Sequence, residues 1–182
     1  STFYRPPSVR NVDSWLKRTS ERKDFFFTAK LNRQITHEGN LDTAIIKAFH
    51  EGFEPMLQAG KLKHLLAQFR YDFDDTTDNR GRLGLIVREL GDAFNIVLEL
   101  RHRSWQQEDA LKFLGELGVG VCNLDYPTTW NSFDIQNCTV DRFGYLRMHG
   151  RNKKAWFDKD AGRDETYNYY YDRSELEQIK SR

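Results

Sequence analysis

Residues 95–105 read Asn-Ile-Val-Leu-Glu-Leu-Arg-His-Arg-Ser-Trp, and this stretch decides the fold class. Its apolar, β-branched first half predicts a strand over residues 95–101. Leu98 and Leu100 alternate with Glu99 and Arg101, so one face stays apolar while the other becomes polar toward the carboxyl end. Buried parallel strands are normally apolar on both faces. The polar end therefore predicts that this strand borders a functional site.

The same pattern of short apolar runs recurs along the chain and alternates with stretches of helical periodicity. Strands are predicted over residues 25–32, 63–70, 95–101, 119–125 and 143–149. Helices are predicted over residues 8–19, from 42 with a kink or division at Pro55, over 77–90 and 107–117, and from 172. This alternation predicts an α/β fold with a parallel sheet. We expect a single domain over residues 1–182, with an incomplete parallel (β/α) TIM-type barrel.

A barrel and an open doubly wound sheet both fit alternating strands and helices. No glycine-rich turn follows the strand at 25–32, which disfavours the doubly wound alternative. A complete eight-unit barrel takes about 250 residues. With five predicted strands, and Ser1 in place of an initiator Met, we expect this sequence to be an internal piece of a longer chain.

Polar residues converge at the carboxyl ends of all five predicted strands, which form the mouth of a β/α barrel. The predicted catalytic residues are Glu99, His149, Lys30 and Asp125. The predicted substrate-binding residues are Asn32, Gln68, Arg101, His102, Trp105, Asn123, Arg147 and Tyr169. In the strand at 119–125, Asn123 and Asp125 are expected to face the lumen and Cys122 to point away from it.

This mixture of cations, carboxylates and histidines suits a polar or anionic ligand, because arginine binds phosphate and carboxylate in a bidentate manner. Purely structural roles stay open: Lys30 and Glu99 can form an ion pair, Asp125 can cap the next segment, and His102 can pack on Trp105. No cofactor is predicted. A divalent metal held by Glu99, Asp125 and the histidines is disfavoured by the neighbouring lysine and arginines.

The overall composition narrows the classes of partner. Net charge is +1, from 28 basic and 27 acidic residues, which argues against a broad field for nucleic acid but leaves room for a local basic cleft. No apolar run approaches the roughly 20 residues of a membrane span, and the first residues do not resemble a signal peptide. Cys122 and Cys138 fit no metal or redox motif, so we expect free thiols in the cytoplasm.

The stretch 150–171 mixes basic residues with aromatic ones. Arg151, Lys153 and Lys154 precede Trp156, and four tyrosines follow from Tyr167 to Tyr171. Such interleaving can bind nucleic acid or form a lid over a small ligand, and it is equally compatible with a solvated loop.

Several of these segments resemble the domain-of-unknown-function 72 (YecE-like) family. The most specific match is Glu99-Leu-Arg-His-Arg-Ser-Trp105, and the others are residues 1–8, 27–32, 35–38, 68–69 and 145–150 with the later tyrosines. The resemblance implies a TIM barrel without an established activity. It also implies that the first and last barrel strands lie outside these residues. After Gln68, the sequence Phe69-Arg70-Tyr71 departs from the usual Gln-x-Pro-Pro of the family.

Three functional hypotheses remain at this stage. The first is an enzyme acting on a phosphorylated or sugar-like small molecule, with Glu99 and His149 as acid/base groups. The second is a nucleic-acid-binding protein or a phosphodiesterase resembling barrel-type repair nucleases. The third is a ligand sensor or an inactive fragment. They differ in the expected site: a small closed pocket, an open basic groove with steep salt dependence, or a site insensitive to Glu99→Gln.

Overall fold

The computed structural model describes residues 2–133 and 144–181. The predicted strand start at residue 143, Cys138, and most of the irregular stretch up to Asp141 lie outside these residues. The strands in this part of the chain are β1 (Phe27–Lys30), β2 (Leu62–Gln68), β3 (Ile96–Glu99), β4 (Gly120–Asp125) and β5 (Tyr145–Met148). The helices are α1 (Val9–Arg18), α2 (Arg33–Thr36), α3 (Thr43–Gln58), α4 (Thr77–Leu90), a 3-10 helix (Arg103–Gln106), α5 (Glu108–Glu116), α6 (Lys153–Phe157), α7 (Arg163–Thr166) and α8 (Arg173–Lys180).

The five described strands form one all-parallel sheet whose spatial order follows the chain, β1-β2-β3-β4-β5. A doubly wound sheet reverses its strand order at a switch point, so this monotonic order does not fit that alternative. The result is a curled half-barrel sheet flanked by helices. The α/β class, the five strands and the parallel pairing are confirmed, with each strand shorter than predicted by one to four residues.

Two hydrophobic clusters lie on opposite faces of the sheet. The helix-facing cluster includes Leu65 and Ala67 of β2 and Ile96 and Leu98 of β3. The smaller cluster on the concave, lumen side is made of Leu66, Val97, Cys122, Leu124 and Tyr126. Because side chains alternate between faces along a strand, these clusters fix which way every later residue of each strand points.

Helix α3 continues through a helix-breaking residue, Pro55, because its inner side is buried. Pro55 was expected to kink or divide this segment, but the helix continues through it to Gln58, so division is wrong. Phe49, Phe53 and Met56 are fully buried on its inner side. Their burial, at roughly 2 kcal/mol for each large side chain, is enough to hold the last helical turn against the hydrogen bond that proline cannot donate.

The chain around residues 150–172 differs from the predicted loop. It contains the short helices α6 and α7, and Asn152 caps α6 because its side chain accepts a hydrogen bond from the backbone of Ala155. Helix α8 begins as predicted, because Asp172 and Glu175 form a capping box. None of the helices described in residues 2–181 has the length and apolar character needed to cross a membrane.

Candidate functional site at the carboxyl ends of the strands

Six polar side chains meet on the lumen side of the sheet at the strand ends, and we call them the mouth cluster. Its members are Lys30, Gln68, Glu99, Arg101, Arg147 and His149. They come from β1, β2, β3 and β5 or from the residues just after these strands. The register aligns Gln68 with Glu99 directly across β2 and β3. The prediction that these six residues converge is confirmed; their functional roles stay predictions.

Glu99 is the centre of the mouth cluster and is completely buried. Its Oε1 accepts hydrogen bonds from Arg101 Nε and Nη2, at 3.0 and 2.7 Å, and its Oε2 accepts one from Arg147 Nη1. Burial opposes ionisation of this carboxyl, but nearby His149, Arg101 and Arg147 outweigh it and hold the Glu99 pKa well below its usual range. Glu99 is therefore a carboxylate at all physiological pH values.

His149 lies beside Glu99 but is held more loosely. Its Nε2 is 3.6 Å from Glu99 Oε1, longer than an ordinary hydrogen bond. The ring is buried, with those of Tyr126 and Trp156 at 6.4 and 5.7 Å. Burial lowers the His149 pKa and the charges of Arg147 and Arg101 add to this, while Glu99 raises it; the net shift is downward. The imidazole is therefore neutral near pH 7, and its Nε2 has no hydrogen-bond partner within the described part of the chain.

Lys30 and Gln68 complete the cluster at its β1 side. Lys30 Nζ donates to Gln68 Oε1 at 2.7 Å, and Arg147 Nη1 donates to the same oxygen at 3.3 Å. The predicted ion pair of Lys30 with Glu99 is thus replaced by contacts through Gln68. Lys30, Arg101 and Arg147 outnumber the single carboxylate Glu99, so the cluster carries excess positive charge.

Asn32 and Tyr169 have different surroundings from the mouth cluster. Asn32 is buried and caps α2, because its Oδ1 accepts a hydrogen bond from the Gln34 backbone. Its Nδ2 has no hydrogen-bond partner in the part of the chain described. Tyr169 donates its hydroxyl to Glu175 and stacks edge-on against Tyr171, near the strand end of β4.

Strand β4 does not face the way the sequence predicted. Val119 and Val121 belong to the helix-facing cluster, whereas Cys122 and Leu124 belong to the lumen cluster. Asn123 and Asp125, which share the face of Val121, therefore point away from the lumen. The prediction was wrong because β4 is apolar on both faces before Asn123, so its sequence alone cannot say which face is inside. The register settles the question, since Leu98 of the helix-facing cluster pairs with Val121.

Asp125 belongs to a second polar group, which we call the latch cluster: Asp125, Arg151, Tyr169, Tyr171 and Glu175. Asp125 is completely buried and accepts a bidentate pair of hydrogen bonds from Arg151, at 2.8 and 2.7 Å, and a third from Tyr171. Arg151 also contacts Glu175 of α8 at 3.0 Å. Burial and the bond to Asp125 raise the pKa of Tyr171 to about 12. These bonds fasten the segment 150–175 to the end of β4, which is a structural role.

The structure does not bring His102 and Trp105 into the mouth cluster. His102 caps the 3-10 helix, and its Nδ1 contacts Ser104 Oγ at 2.8 Å. Trp105 is completely buried in the helix-facing core, stacks on Phe73 and donates its indole N–H to the Phe73 carbonyl. The two halves of the motif at 99–105 therefore have different surroundings. Glu99 and Arg101 belong to the mouth cluster, whereas His102 and Trp105 cap and pack the segment that follows β3.

The metal set considered from the sequence is also separated. Glu99 and His149 are neighbours, whereas Asp125 binds Arg151 and His102 binds Ser104. Across residues 2–133 and 144–181, no three His, Cys, Asp or Glu side chains are grouped so that they could hold a metal ion.

An open cavity of about 500 Å³ adjoins the mouth cluster at Arg101. Its lining is largely aromatic and hydroxylated: Tyr71, Arg101, Tyr126, Pro127, Thr129, Trp130, Asn131, Ser132, Trp156 and Phe157. The Arg101 guanidinium lies 5.9 and 5.8 Å from the ring centres of Tyr126 and Trp156. Sequence reasoning missed Tyr71, Tyr126 and Trp130, because nothing in the spacing of these residues links them to the strand ends.

The fold and site define a class: a parallel β/α half-barrel with a buried, cation-rich polar cluster at the carboxyl ends of its strands. The chain belongs to the family described as protein of unknown function DUF72, whose model matches residues 1–182. It is similar to the UPF0759 protein YunF of Bacillus subtilis, with 29% identity over 99% of this chain and 68% of the relative.

Two solved structures of this family are also similar to the chain. A DUF72 family protein from Thermotoga maritima has 29% identity and a TM-score of 0.81, over 98% of this chain and 68% of that one. A DUF72 family protein from Enterococcus faecalis has 26% identity and a TM-score of 0.83, over 98% and 69%. The family resemblance seen in the sequence is confirmed.

Proposed function

We propose that the mouth cluster binds the anionic group of a small phosphorylated or sugar-like molecule and that the protein is an enzyme acting on it. The observation that carries the proposal is an excess of positive charge that does not depend on the protonation of Lys30: Arg101 and Arg147 both bond one carboxylate, Glu99, and the Lys30 amine lies beside them. Partly desolvated positive charge without an equal number of counter-charges favours an anionic ligand. We propose further that the half-barrel is part of a TIM-type barrel, with this site at its mouth.

The first hypothesis predicted a small closed pocket, whereas the cavity beside Arg101 is open; its lining supports a sugar-like body for such a ligand. Aromatic faces such as Trp130 and Trp156 pack against the apolar side of a sugar ring, while Thr129 and Ser132 offer hydroxyl groups. The buried Asn32 Nδ2 is a free donor among the described residues and adds hydrogen-bonding capacity near the strand ends.

Glu99 and His149, the two ionisable groups at the centre of the mouth cluster, have different proposed roles. Glu99 stays ionised and holds Arg101 and Arg147 in position. His149 is neutral near pH 7, with a ring nitrogen available to accept or donate a proton, so it is the acid/base candidate. A resident cofactor is not part of the proposal.

A second candidate function is binding of nucleic acid, with or without phosphodiester cleavage. Lys153 and Lys154 are exposed on α6, and Phe157 at the end of the same helix is also exposed, as is Tyr170 further along the chain. Such a surface can combine backbone neutralisation with base stacking. It predicts an affinity that falls steeply with salt, because phosphate contacts release counterions.

Thermal unfolding with a ligand panel tests these candidates. The panel contains inorganic phosphate, glucose 6-phosphate, glucose and a short single-stranded oligonucleotide, each at constant ionic strength with and without Mg²⁺. Stabilisation by the phosphorylated ligands that disappears in Arg147→Gln supports the first proposal. The matched control is Arg173→Gln, because Arg173 is exposed and pairs only with Glu177 among the residues described. Stabilisation by the oligonucleotide alone, with steep salt dependence, would contradict the first proposal and favour nucleic-acid binding.

A further inference from the structure

Lys30 differs from the other cations of the mouth cluster in one chemical respect. Guanidinium groups stay charged in proteins, whereas a lysine amine can lose its proton when its surroundings disfavour charge. A neutral lysine amine is a nucleophile toward carbonyl groups. Lys30 is half-buried at the carboxyl end of β1, on the lumen side.

Within residues 2–133 and 144–181, the hydrogen bonding around Lys30 gives its ammonium form no direct counter-ion. Its Nζ donates to the neutral amide oxygen of Gln68. The two oxygens of Glu99, the nearest carboxylate in the cluster, are occupied by Arg101 and Arg147. A neutral amine keeps the bond to Gln68 through one N–H and retains a lone pair. Among the Lys30 contacts in the described part of the chain, loss of the proton removes only the distant cation–π contact with the Phe3 ring, whose centre is 5.6 Å from Nζ.

The charges around Lys30 act in the same direction as this geometry. Burial is the largest effect and lowers the Lys30 pKa; Arg147, Arg101 and the more distant Arg163 of α7 lower it further, and Glu99 opposes them. A second nucleophile is present in the lumen, but the Cys122 thiol is completely buried and burial raises its pKa, which keeps it protonated.

We propose that Lys30 forms an imine with an aldehyde or ketone that carries a phosphate or carboxylate group. The inference rests on the proposed function, because Arg101 and Arg147 would hold the anionic group while Lys30 reacts. The amine lone pair adds to the carbonyl carbon, the carbonyl oxygen takes up a proton, and loss of water from the resulting carbinolamine leaves the carbon–nitrogen double bond. Amine and carbonyl thus give imine and water, without an oxidant or reductant.

The experiment traps the imine on the full chain. The protein is incubated with dihydroxyacetone phosphate or with dihydroxyacetone, the same ketone without phosphate, and sodium borohydride is added. Borohydride supplies hydride to the imine carbon and leaves a stable secondary amine, and peptide mass spectrometry locates it. We expect modification of Lys30, about tenfold greater for the phosphorylated ketone, since one charged hydrogen bond is worth about this factor in binding.

Controls separate a specific amine from general lysine reactivity. Lys63 of β2 is exposed, with its Nζ over the Phe26 ring, and serves as the internal reference. Lys30→Arg keeps the charge and must abolish the adduct, whereas Lys63→Arg must leave the Lys30 adduct unchanged. The site of modification is mapped on the chain without substitutions, so this result does not depend on whether the Lys30→Arg or Lys63→Arg variant folds.

The outcomes distinguish this inference from the proposal beneath it. Modification of Lys30 no greater than that of Lys63, or equal modification by both ketones, overturns the inference. If phosphate stabilises the protein in the thermal assay and no Lys30 adduct forms, the anion site stands and the imine is refuted. If phosphate neither stabilises the protein nor directs modification, both fail.

Discussion

Replacement of Glu99 by glutamine tests the central electrostatic argument, because this variant removes a charge and little else. Glutamine has nearly the same shape and still accepts one hydrogen bond, but Arg101 and Arg147 lose their shared counter-charge. Breaking a buried ion pair on one side costs about 3–5 kcal/mol. We expect the lower end, about 3 kcal/mol, because the two arginine side chains are 17% and 24% exposed and water screens them in part.

That loss has a measurable size in a thermal melt. For a chain of this length, about 1 kcal/mol shifts the Tm by roughly 2–4 °C, so the variant should melt roughly 6–12 °C lower. The control is Glu177→Gln, because Glu177 is 66% exposed and pairs with the 92% exposed Arg173. An exposed pair of this kind contributes well under about 1 kcal/mol, so the control should melt within a few degrees of the parent.

The same substitution should strengthen anion binding. Without Glu99 the mouth cluster keeps Arg101, Arg147 and the Lys30 amine but has no carboxylate. A phosphate about 6 Å from the lost charge gains roughly 3 kcal/mol at an effective dielectric of 20 before salt screening. Allowing for screening, we expect phosphate to bind at least about tenfold more tightly. Phosphate at saturating concentration should then recover roughly 3–5 °C more in the variant than in the parent.

Two results would refute this reasoning. A variant as stable as the parent would mean that the arginines do not depend on Glu99. A variant that is less stable but gains no more from phosphate than the parent does would mean that the cations do not form an anion site. Potassium chloride at matched ionic strength separates specific phosphate binding from general screening.

The remaining predictions concern protonation and the segment beyond β5. Because the His149 pKa is lowered in the folded state, the unfolded chain takes up the proton first as pH falls below about 6.5. The free energy of unfolding measured in urea should therefore decrease from pH 7 to pH 5, and it should decrease by less in His149→Gln. Asp125→Asn should cost about 3 kcal/mol and expose residues 150–175 to limited proteolysis, since Glu175 is then the carboxylate left to pair with Arg151 among the described residues. No gain in cleavage there would argue against the latch role. Gly150→Ala should destabilise the protein by about 2 kcal/mol or more in the same urea assay, because Gly150 has a φ of 82° and a Cβ there would lie 2.6 Å from Tyr169 Cβ. An unchanged free energy of unfolding would contradict this packing.

Much of the fold and half of the site followed from period-two patterns in the sequence. Where a strand becomes polar on one face only, as at Lys30, Glu99 and Arg147, the alternation identifies the lumen side and the structure agrees. At Gln68 the single polar residue at the end of β2 sufficed, because its neighbours Ala67 and Phe69 are apolar and face the helices. These predictions need only the parallel pairing and the rule that successive side chains point to opposite faces.

The failures concern residues whose surroundings are not determined by the local alternation of side chains along a strand. Asp125 is polar at a strand end like Glu99, but Arg151 and Tyr171 meet it from the other face of the sheet. Trp105 continues the most distinctive motif of the chain, yet Phe73 supplies both its stacking partner and its hydrogen-bond acceptor. Local periodicity does not encode either pairing, because both depend on where a later or earlier segment packs against the sheet.

The separation of the two polar clusters gives the mouth its chemical asymmetry. On the helix-facing side of β4, Arg151 neutralises the charge of Asp125 and the Tyr171 hydroxyl donates a hydrogen bond to it, so this charge does not offset the cations of the mouth cluster. Had Asp125 faced the lumen, as the sequence suggested, Lys30, Arg101 and Arg147 would have met two carboxylates and the site would be nearly balanced. Because Asp125 lies on the other face of β4, Glu99 is the carboxylate between the two arginines of the mouth cluster. Both the anion site and an uncharged Lys30 amine require the resulting excess of positive charge.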